Sequence, residues 1–135
     1  PTEECRLDLT PGRLVKPTVT ILSPDASGEA PFPMFTPEVR YTVGHTVRDV
    51  LFELDGRLVA HAASGSDVMR NFRRAEGTAE GPPVRLPRRF DPAGTHMLHV
   101  TLVDSYYNRA EDSVRFRFAE SGTGMLLQLR RARGR

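Results

Sequence analysis

The amino-acid sequence predicts an all-β domain, an antiparallel sandwich of about seven strands. Three observations predict it. Apolar residues recur at every second position in run after run between Pro17 and Phe118, the period of a strand with one buried face. Proline and glycine number 11 each, which cuts the chain into short segments. Asp55-Gly56 stands directly between two apolar runs, a strong hairpin signal, because the mirror-image turn it favours needs positive φ at both central residues.

Each element follows from its residues. Thr18-Val19-Thr20-Ile21-Leu22 is β-branched, alternates and stops at Ser23-Pro24, so it reads as the first strand. Residues 24–37 carry Pro24, Pro31, Pro33 and Pro37 and read as a loop over one end of the domain, pinned to the core edge by Phe32, Met34 and Phe35. Val39, Tyr41 and Val43 share one side of a second strand, and Gly44-His45-Thr46 turns the chain. Val47 to Leu54 is the longest apolar strand, and Arg57 to Ala60 returns from the Asp-Gly turn. Residues 62–83 are polar and rich in glycine and serine, and read as one long loop. One or two helical turns are expected over Ser66 to Arg74, with Val68, Met69 and Phe72 on one side. Val84-Arg85-Leu86 resumes a strand. His96 to Val103 follows the turn at Asp91-Pro92-Ala93-Gly94, and Ala110 to Phe118 closes the set with Val114, Phe116 and Phe118 pointing inward.

The 135 residues suit one domain, and 39% hydrophobic with 27% charged residues is ordinary globular composition. The plan is an N-terminal arm over 1–16, the sandwich over 17–118, and an amphipathic, basic tail over 119–135. With a single cysteine, Cys5, no intrachain disulfide forms. That thiol is either a spare group in the arm or a link to another chain or a lipid. No run reaches the ~18–20 apolar residues of a membrane span, and no signal-peptide pattern is present. Pro1 fits either a natural start after methionine removal or a processed boundary. Formal charge is +2, and Lys16 is the one lysine among 19 basic residues. Coding bias in a GC-rich genome explains such an excess of arginine, which also suits bidentate pairing with carboxylate or phosphate.

The stretch Asp91-Pro-Ala-Gly-Thr-His-Met-Leu-His-Val-Thr-Leu-Val-Asp-Ser-Tyr-Tyr-Asn108, continuing through Ser113-Val-Arg-Phe-Arg-Phe118, resembles the last hairpin of bacterial immunoglobulin-like (fibronectin-III-like) domains. Pro17 to Pro24 and Val50 to Gly56 resemble the first strand and middle hairpin of the same group, so the likeness covers about Pro17 to Phe118. It implies an immunoglobulin-like sandwich used as a spacer, adhesive or interaction module, often beside other domains, with no catalytic residues. It also implies an extracytoplasmic setting, the periplasm or cell surface, although Pro1 and the missing signal pattern leave the cytoplasm open. The 62–83 segment, the tail and the absence of tryptophan depart from the usual pattern.

No constellation for catalysis emerges. His96 and His99 are three apart and so point to opposite faces of one strand; His96 is expected to brace the turn and His99 to lie on a sheet face. Asp104 and Asn108, with Asp91 or Asp112, offer too few oxygens for calcium and read as turn-makers. Ser64 to Asp67 near His61 lacks the strand–turn–helix elbow of a serine hydrolase. No phosphate loop or dinucleotide fingerprint occurs, and no cofactor or metal is expected.

Two arginine groups stand out as partner-binding candidates. Arg70, Arg73, Arg74, Arg88 and Arg89 surround the long loop and the strand after it. In the tail, Met125, Leu126, Leu127 and Leu129 precede Arg130, Arg131 and Arg133, joining an apolar patch to a basic end. Such surfaces meet an acidic protein patch or an anionic membrane layer. Nucleic acid is disfavoured because aromatic residues scarcely interleave with the arginines. The expectation is a non-catalytic interaction module, an accessory subunit or domain of a larger assembly. The alternative is a carbohydrate-binding or enzyme-accessory module at the cell surface, with Tyr106, Tyr107 and Phe72 as its aromatic candidates.

Overall fold

A computed structural model describes residues 16–119. In chain order the elements are β1 (Thr18–Ser23), β2 (Glu29–Ala30), β3 (Met34–Phe35), β4 (Glu38–Thr42), β5 (Val47–Leu54), β6 (Arg57–Ala63), a 3-10 helix (Asp67–Phe72), β7 (Glu76–Glu80), β8 (Val84–Arg85), β9 (Thr95–Asp104) and β10 (Arg109–Phe118). A three-stranded sheet, β1-β4-β7, packs on a five-stranded sheet, β2-β10-β9-β5-β6, and β3 and β8 form a short clip. All pairings among the described residues are antiparallel except that of β2 with β10. This is an all-β, immunoglobulin-like sandwich.

The pleat dictates what lies between the sheets. Val39 and Tyr41 on β4, Val50, Phe52 and Leu54 on β5, Leu98, Val100 and Leu102 on β9, and Val114, Phe116 and Phe118 on β10 form one buried cluster, as their period-two spacing predicts. Arg40, Arg115 and Arg117 take the alternate, exposed positions. Fit in this core is tight. A side-chain carbon placed on Gly81 would lie 2.5 Å from Phe52 Cζ, so the glycine is there to admit the ring.

The two open sides of the sandwich are closed differently. On one side β1 ends in a register shift between Ile21 and Ser23, and the chain crosses to the other sheet. There Ser27 N–H donates to the Arg115 carbonyl, and Arg117 N–H donates to the Gly28 carbonyl. Asp112 of β10 reaches across to accept the Ile21 N–H at 2.8 Å, satisfying a donor of β1 from the opposite sheet. On the other side the 3-10 helix lies between β6 and β7. Phe72 (1% exposed) closes that side, with its ring centroid 5.3 Å from that of Tyr41. The Tyr41 hydroxyl donates to the Arg74 carbonyl, and burial pushes its pKa above the ordinary tyrosine value.

Turn chemistry follows the residues. Asp55 (φ 51) and Gly56 (φ 88) are both left-handed, as the Asp-Gly signal requires. Asp55 also ties the hairpin to β9: its Oδ1 accepts the Met97 N–H at 2.9 Å, and its Oδ2 lies 2.7 Å from His96 Nδ1. The second ring nitrogen of His96 faces the Ala93 carbonyl at 3.1 Å, so the histidine does brace its turn. At the opposite end of the sandwich Asp104, 0% exposed, organises the β9–β10 turn. Its Oδ1 accepts the Tyr106 and Asn108 N–H groups, and its Oδ2 accepts from Asn108 Nδ2.

Three expectations need correction. The segment 62–83 is not one loop: besides the expected helical turns it contains β7, which completes the three-stranded sheet. The strand was invisible because its inward positions are Gly77, opposite Tyr41, and Ala79, opposite Val39. Gly77 takes φ 148, a conformation that favours glycine, and neither residue is a large apolar one, so no hydrophobic period survives. Conversely, 84–86 yields only the two-residue β8 of the clip, not a sandwich strand. Phe35 is buried and Phe32 half-buried, but Met34 is 42% exposed and pins nothing. It precedes the buried Phe35 in β3, and alternation turns it outward.

Gly81→Ala is expected to lower stability by about 1–3 kcal/mol in urea unfolding, because Phe52 is enclosed and cannot move aside without strain. Asp104→Ala is expected to cost about 2–3 kcal/mol in the same measurement, since it deprives three donors of a charged acceptor.

Candidate functional site

Of the predicted binding residues, Arg70, Arg73 and Arg74 are brought together. The chain leaves β6 through Ser66, whose N–H and hydroxyl both donate to the Ala63 carbonyl. It runs through the 3-10 helix along the open side, where Asn71 Nδ2 donates to the Glu80 carbonyl of β7. Arg70, Asn71, Arg73 and Arg74 thereby line a groove of about 450 Å³ against Thr78 and Glu80. A second, adjoining hollow shares Arg70 and Arg73 and adds Asp67. Arg70 lies 3.9 Å from Asp67, a loose exposed pair. Among the described residues no carboxylate comes within 4.0 Å of Arg73 or Arg74.

Arg88 and Arg89 belong elsewhere, and this corrects the expectation of a single cluster. They lie in the turn after β8, and Arg89 lines a separate cavity with Arg57 and Phe90 beside the Asp55-Gly56 hairpin. None of the residues lining that cavity lines the Arg70 groove. Neighbourhood in sequence is lost because β7 intervenes, carrying the chain from one end of the sandwich to the other. Met125, Leu126, Leu127, Leu129, Arg130, Arg131 and Arg133, like Cys5, lie outside the described residues.

At the end carrying the β4–β5 and β9–β10 turns, the structure assembles a group the charge pattern did not single out. Ser105 N–H donates to the Thr46 carbonyl, joining the two turns. The His45 and Tyr106 rings meet edge-on at 4.5 Å, and the Arg48 guanidinium sits 4.7 Å from the centre of the Tyr107 ring. Tyr106 and Tyr107 remain 43% and 66% exposed. Tyr107 takes φ 68, a costly conformation for a bulky residue, and the Asp104 hydrogen bonds hold it there. Phe72, the third aromatic candidate, is buried in the core and cannot meet a ligand.

The histidines and carboxylates considered for catalysis or metal binding make contacts within the framework. His96 is buried and His99 lies on the outer face of the five-stranded sheet, so their side chains do diverge. Across that outer face, His99 Nδ1 lies 2.6 Å from Ser113 Oγ, and Nε2 lies 3.0 Å from Glu111 Oε1. This serine–histidine–glutamate line could be read only once the β9–β10 register was known, with Ser113 opposite His99. It is a ladder of cross-strand pairs on an open sheet face. Asp49 and His61 make a similar pair at 3.0 Å. The carboxylates considered for calcium are dispersed: Asp91 accepts the Ala93 N–H, Asp112 the Ile21 N–H, and Asp104 serves its own turn. Among the described residues no three His, Cys, Asp or Glu side chains converge as a metal site.

Neither a family model nor a curated relative matches this chain. Solved structures give distant likenesses. An engineered protein has 19% identity and a TM-score of 0.47 over 77% of this chain, which spans 20% of that protein's length. CopC from Methylosinus trichosporium OB3b has 16% identity and a TM-score of 0.37 over 74% of this chain and 92% of its own. The CARDB domain of a Pyrococcus furiosus protein, solved in complex with di-metal ions, has 14% identity and a TM-score of 0.37 over 75% of this chain and 85% of its own. No binding property passes from these proteins to this chain; its sandwich is described by its own strand order.

Proposed function

We propose that this chain is a non-catalytic interaction module of the bacterial immunoglobulin-like group, a subunit or domain of a larger assembly, and that its arginine groove receives an acidic protein surface. The observation that carries the proposal is the convergence of Arg70, Arg73 and Arg74 with Asn71 in one groove, with Arg73 and Arg74 lacking a carboxylate partner among the described residues. Guanidinium groups held this way present planar donor forks to carboxylates. They are exposed, so they do not strain the fold, and they steer association at a rate that falls with salt. The sandwich is the rigid support: its interior is filled with side chains, and the helix that carries Arg70 is anchored by buried Phe72. The C-terminal segment with Met125, Leu126, Leu127, Leu129, Arg130, Arg131 and Arg133 joins the proposal on composition alone. An anionic membrane layer is the competing partner for that segment.

A second reading has its own observation. Tyr106 and Tyr107 are displayed on a turn stiffened by Asp104, and exposed tyrosine rings stack on sugar faces. This is the carbohydrate-binding alternative.

A photo-crosslinker placed beside the groove, at Thr78, tests the first reading in extracts of the native source. Mass spectrometry is expected to recover a discrete partner with an acidic surface. The double variant Arg73→Glu, Arg74→Glu is expected to lower that recovery at least about tenfold, and wild-type recovery is expected to fall as salt rises. Equal recovery with the variant overturns the groove. Recovery lost only on truncation after Phe118 moves the contact to the tail. Polysaccharide titration followed by tyrosine fluorescence tests the second reading: saturable quenching that Tyr107→Ala abolishes supports it, and a flat response removes it.

A further inference from the structure

We infer that the cavity between the β5–β6 hairpin and the turn after β8 is a second binding site, one that captures the free C-terminal residue of a peptide ending in an apolar side chain. The cavity has a volume of about 580 Å³ and is distinct from the Arg70 groove. That size lies within the ~300–1,000 Å³ usual for small-ligand clefts, and it suits one or two residues and not a folded domain.

Its walls are built and pinned. On one side Phe90 N–H donates to the Pro87 carbonyl, closing a turn that sets Arg89 beside Phe90. The Phe90 ring is backed by His96 at 5.1 Å and Phe118 at 5.7 Å, so it cannot sink further into the core. On the other side the hairpin is held by three bonds from Asp55 to β9: its N–H to the Met97 carbonyl, Oδ1 to the Met97 N–H, and Oδ2 to His96. Pro87 and half-buried Phe90 supply an apolar surface above the buried Leu54, and Arg57 and Arg89 flank it with guanidinium groups.

The charge arrangement selects the ligand. Asp55 lines the cavity too, but its oxygens are turned to the Met97 N–H and to His96, and it forms no ion pair with either arginine. Among the described residues neither Arg57 nor Arg89 has a carboxylate within 4.0 Å. Two unpaired guanidinium groups beside an apolar surface call for an anion carrying an apolar body. A bare phosphate would satisfy the charge and leave Pro87 and Phe90 uncovered. Asp91 adds a third requirement. Asp91 lines the cavity; its Oδ1 accepts the Ala93 N–H, while Oδ2 has no partner among the described residues and is available as an acceptor for an N–H donor. A peptide's last residue meets all three needs: the carboxylate for Arg57 and Arg89, the side chain for Phe90, and the amide N–H for Asp91.

The full chain is titrated with a fluorescent short peptide ending in Leu-Phe, bearing either a free or an amidated C-terminus, with 3-phenylpropionate and inorganic phosphate alongside. The free peptide is expected to bind saturably below ~1 mM. Amidation is expected to weaken it at least about tenfold, as is Arg57→Ala or Arg89→Ala, because each removes a charge-assisted contact. Both arginines are exposed, so the variants fold; heteronuclear NMR should place the peptide's shifts at Leu54 and Phe90. Arg73→Glu with Arg74→Glu is expected to leave this binding unchanged, so failure here and failure of the groove are separate results. Equal binding of acid and amide, binding of 3-phenylpropionate or phosphate as tight as that of the peptide, shifts confined to Arg70 and Arg73, or no saturation by ~5 mM each overturns the assignment.

Discussion

The burial of alternate side chains between two facing sheets is the constraint on which the rest of this domain depends. Tyr41, Phe52, Phe72 and Phe116 are all nearly inaccessible, and each comes from a different segment of the chain. Aromatic side chains of this size bury about 150–250 Å² apiece and dominate the driving force of a small core. Their volume also sets rules for their neighbours. Gly81 must be bare where Phe52 stands, while Gly77 of β7 is set by its backbone, whose φ of 148 favours glycine. A strand with almost no hydrophobic character still completes the sheet, because its pairing with β4 is made by backbone groups.

With the interior filled, function is left to the ends and flanks, and these are stiffened by polar groups that each serve several partners. Asp104 holds one turn with three accepted bonds, and Asp55 ties the hairpin at the other end to β9 and to His96. Asp112 spans the sheets to satisfy Ile21. These carboxylates are committed to backbone and side-chain donors of the framework. Among the described residues Arg57, Arg73, Arg74 and Arg89 have no carboxylate within 4.0 Å. Arginines of the described residues are distributed over separate hollows, and each hollow has its own apolar or polar lining.

Hairpins and strands made of locally spaced residues were legible in the sequence. Pleating repeats every two residues, so β1, β4, β5, β9 and β10 announce themselves wherever large apolar residues alternate with polar ones. The Asp-Gly turn was legible because only a few residue types tolerate positive φ, and Asp55 and Gly56 adopt it. The divergence of His96 and His99 follows from the same period. The β7 strand was not legible, because Gly77 and Ala79 at its inward positions leave no large apolar residue to mark the period, and its place is set by long-range pairing with β4.

By itself, then, the chain determined an all-β sandwich with arginine-rich surfaces, since alternation, turn residues and charge are all local properties. Only the tertiary structure decided which arginines lie together. Arg70, Arg73 and Arg74 stay in one groove because a short helix holds them, whereas β7 carries Arg88 and Arg89 to the far end, where Arg89 joins Arg57, which lies well away in sequence. Likewise Ser113, His99 and Glu111, and His45 with Tyr106, became neighbours only through strand register and turn-to-turn contact. The physical reason is that binding surfaces are made by long-range juxtaposition, and register is a collective outcome of packing that no single segment encodes.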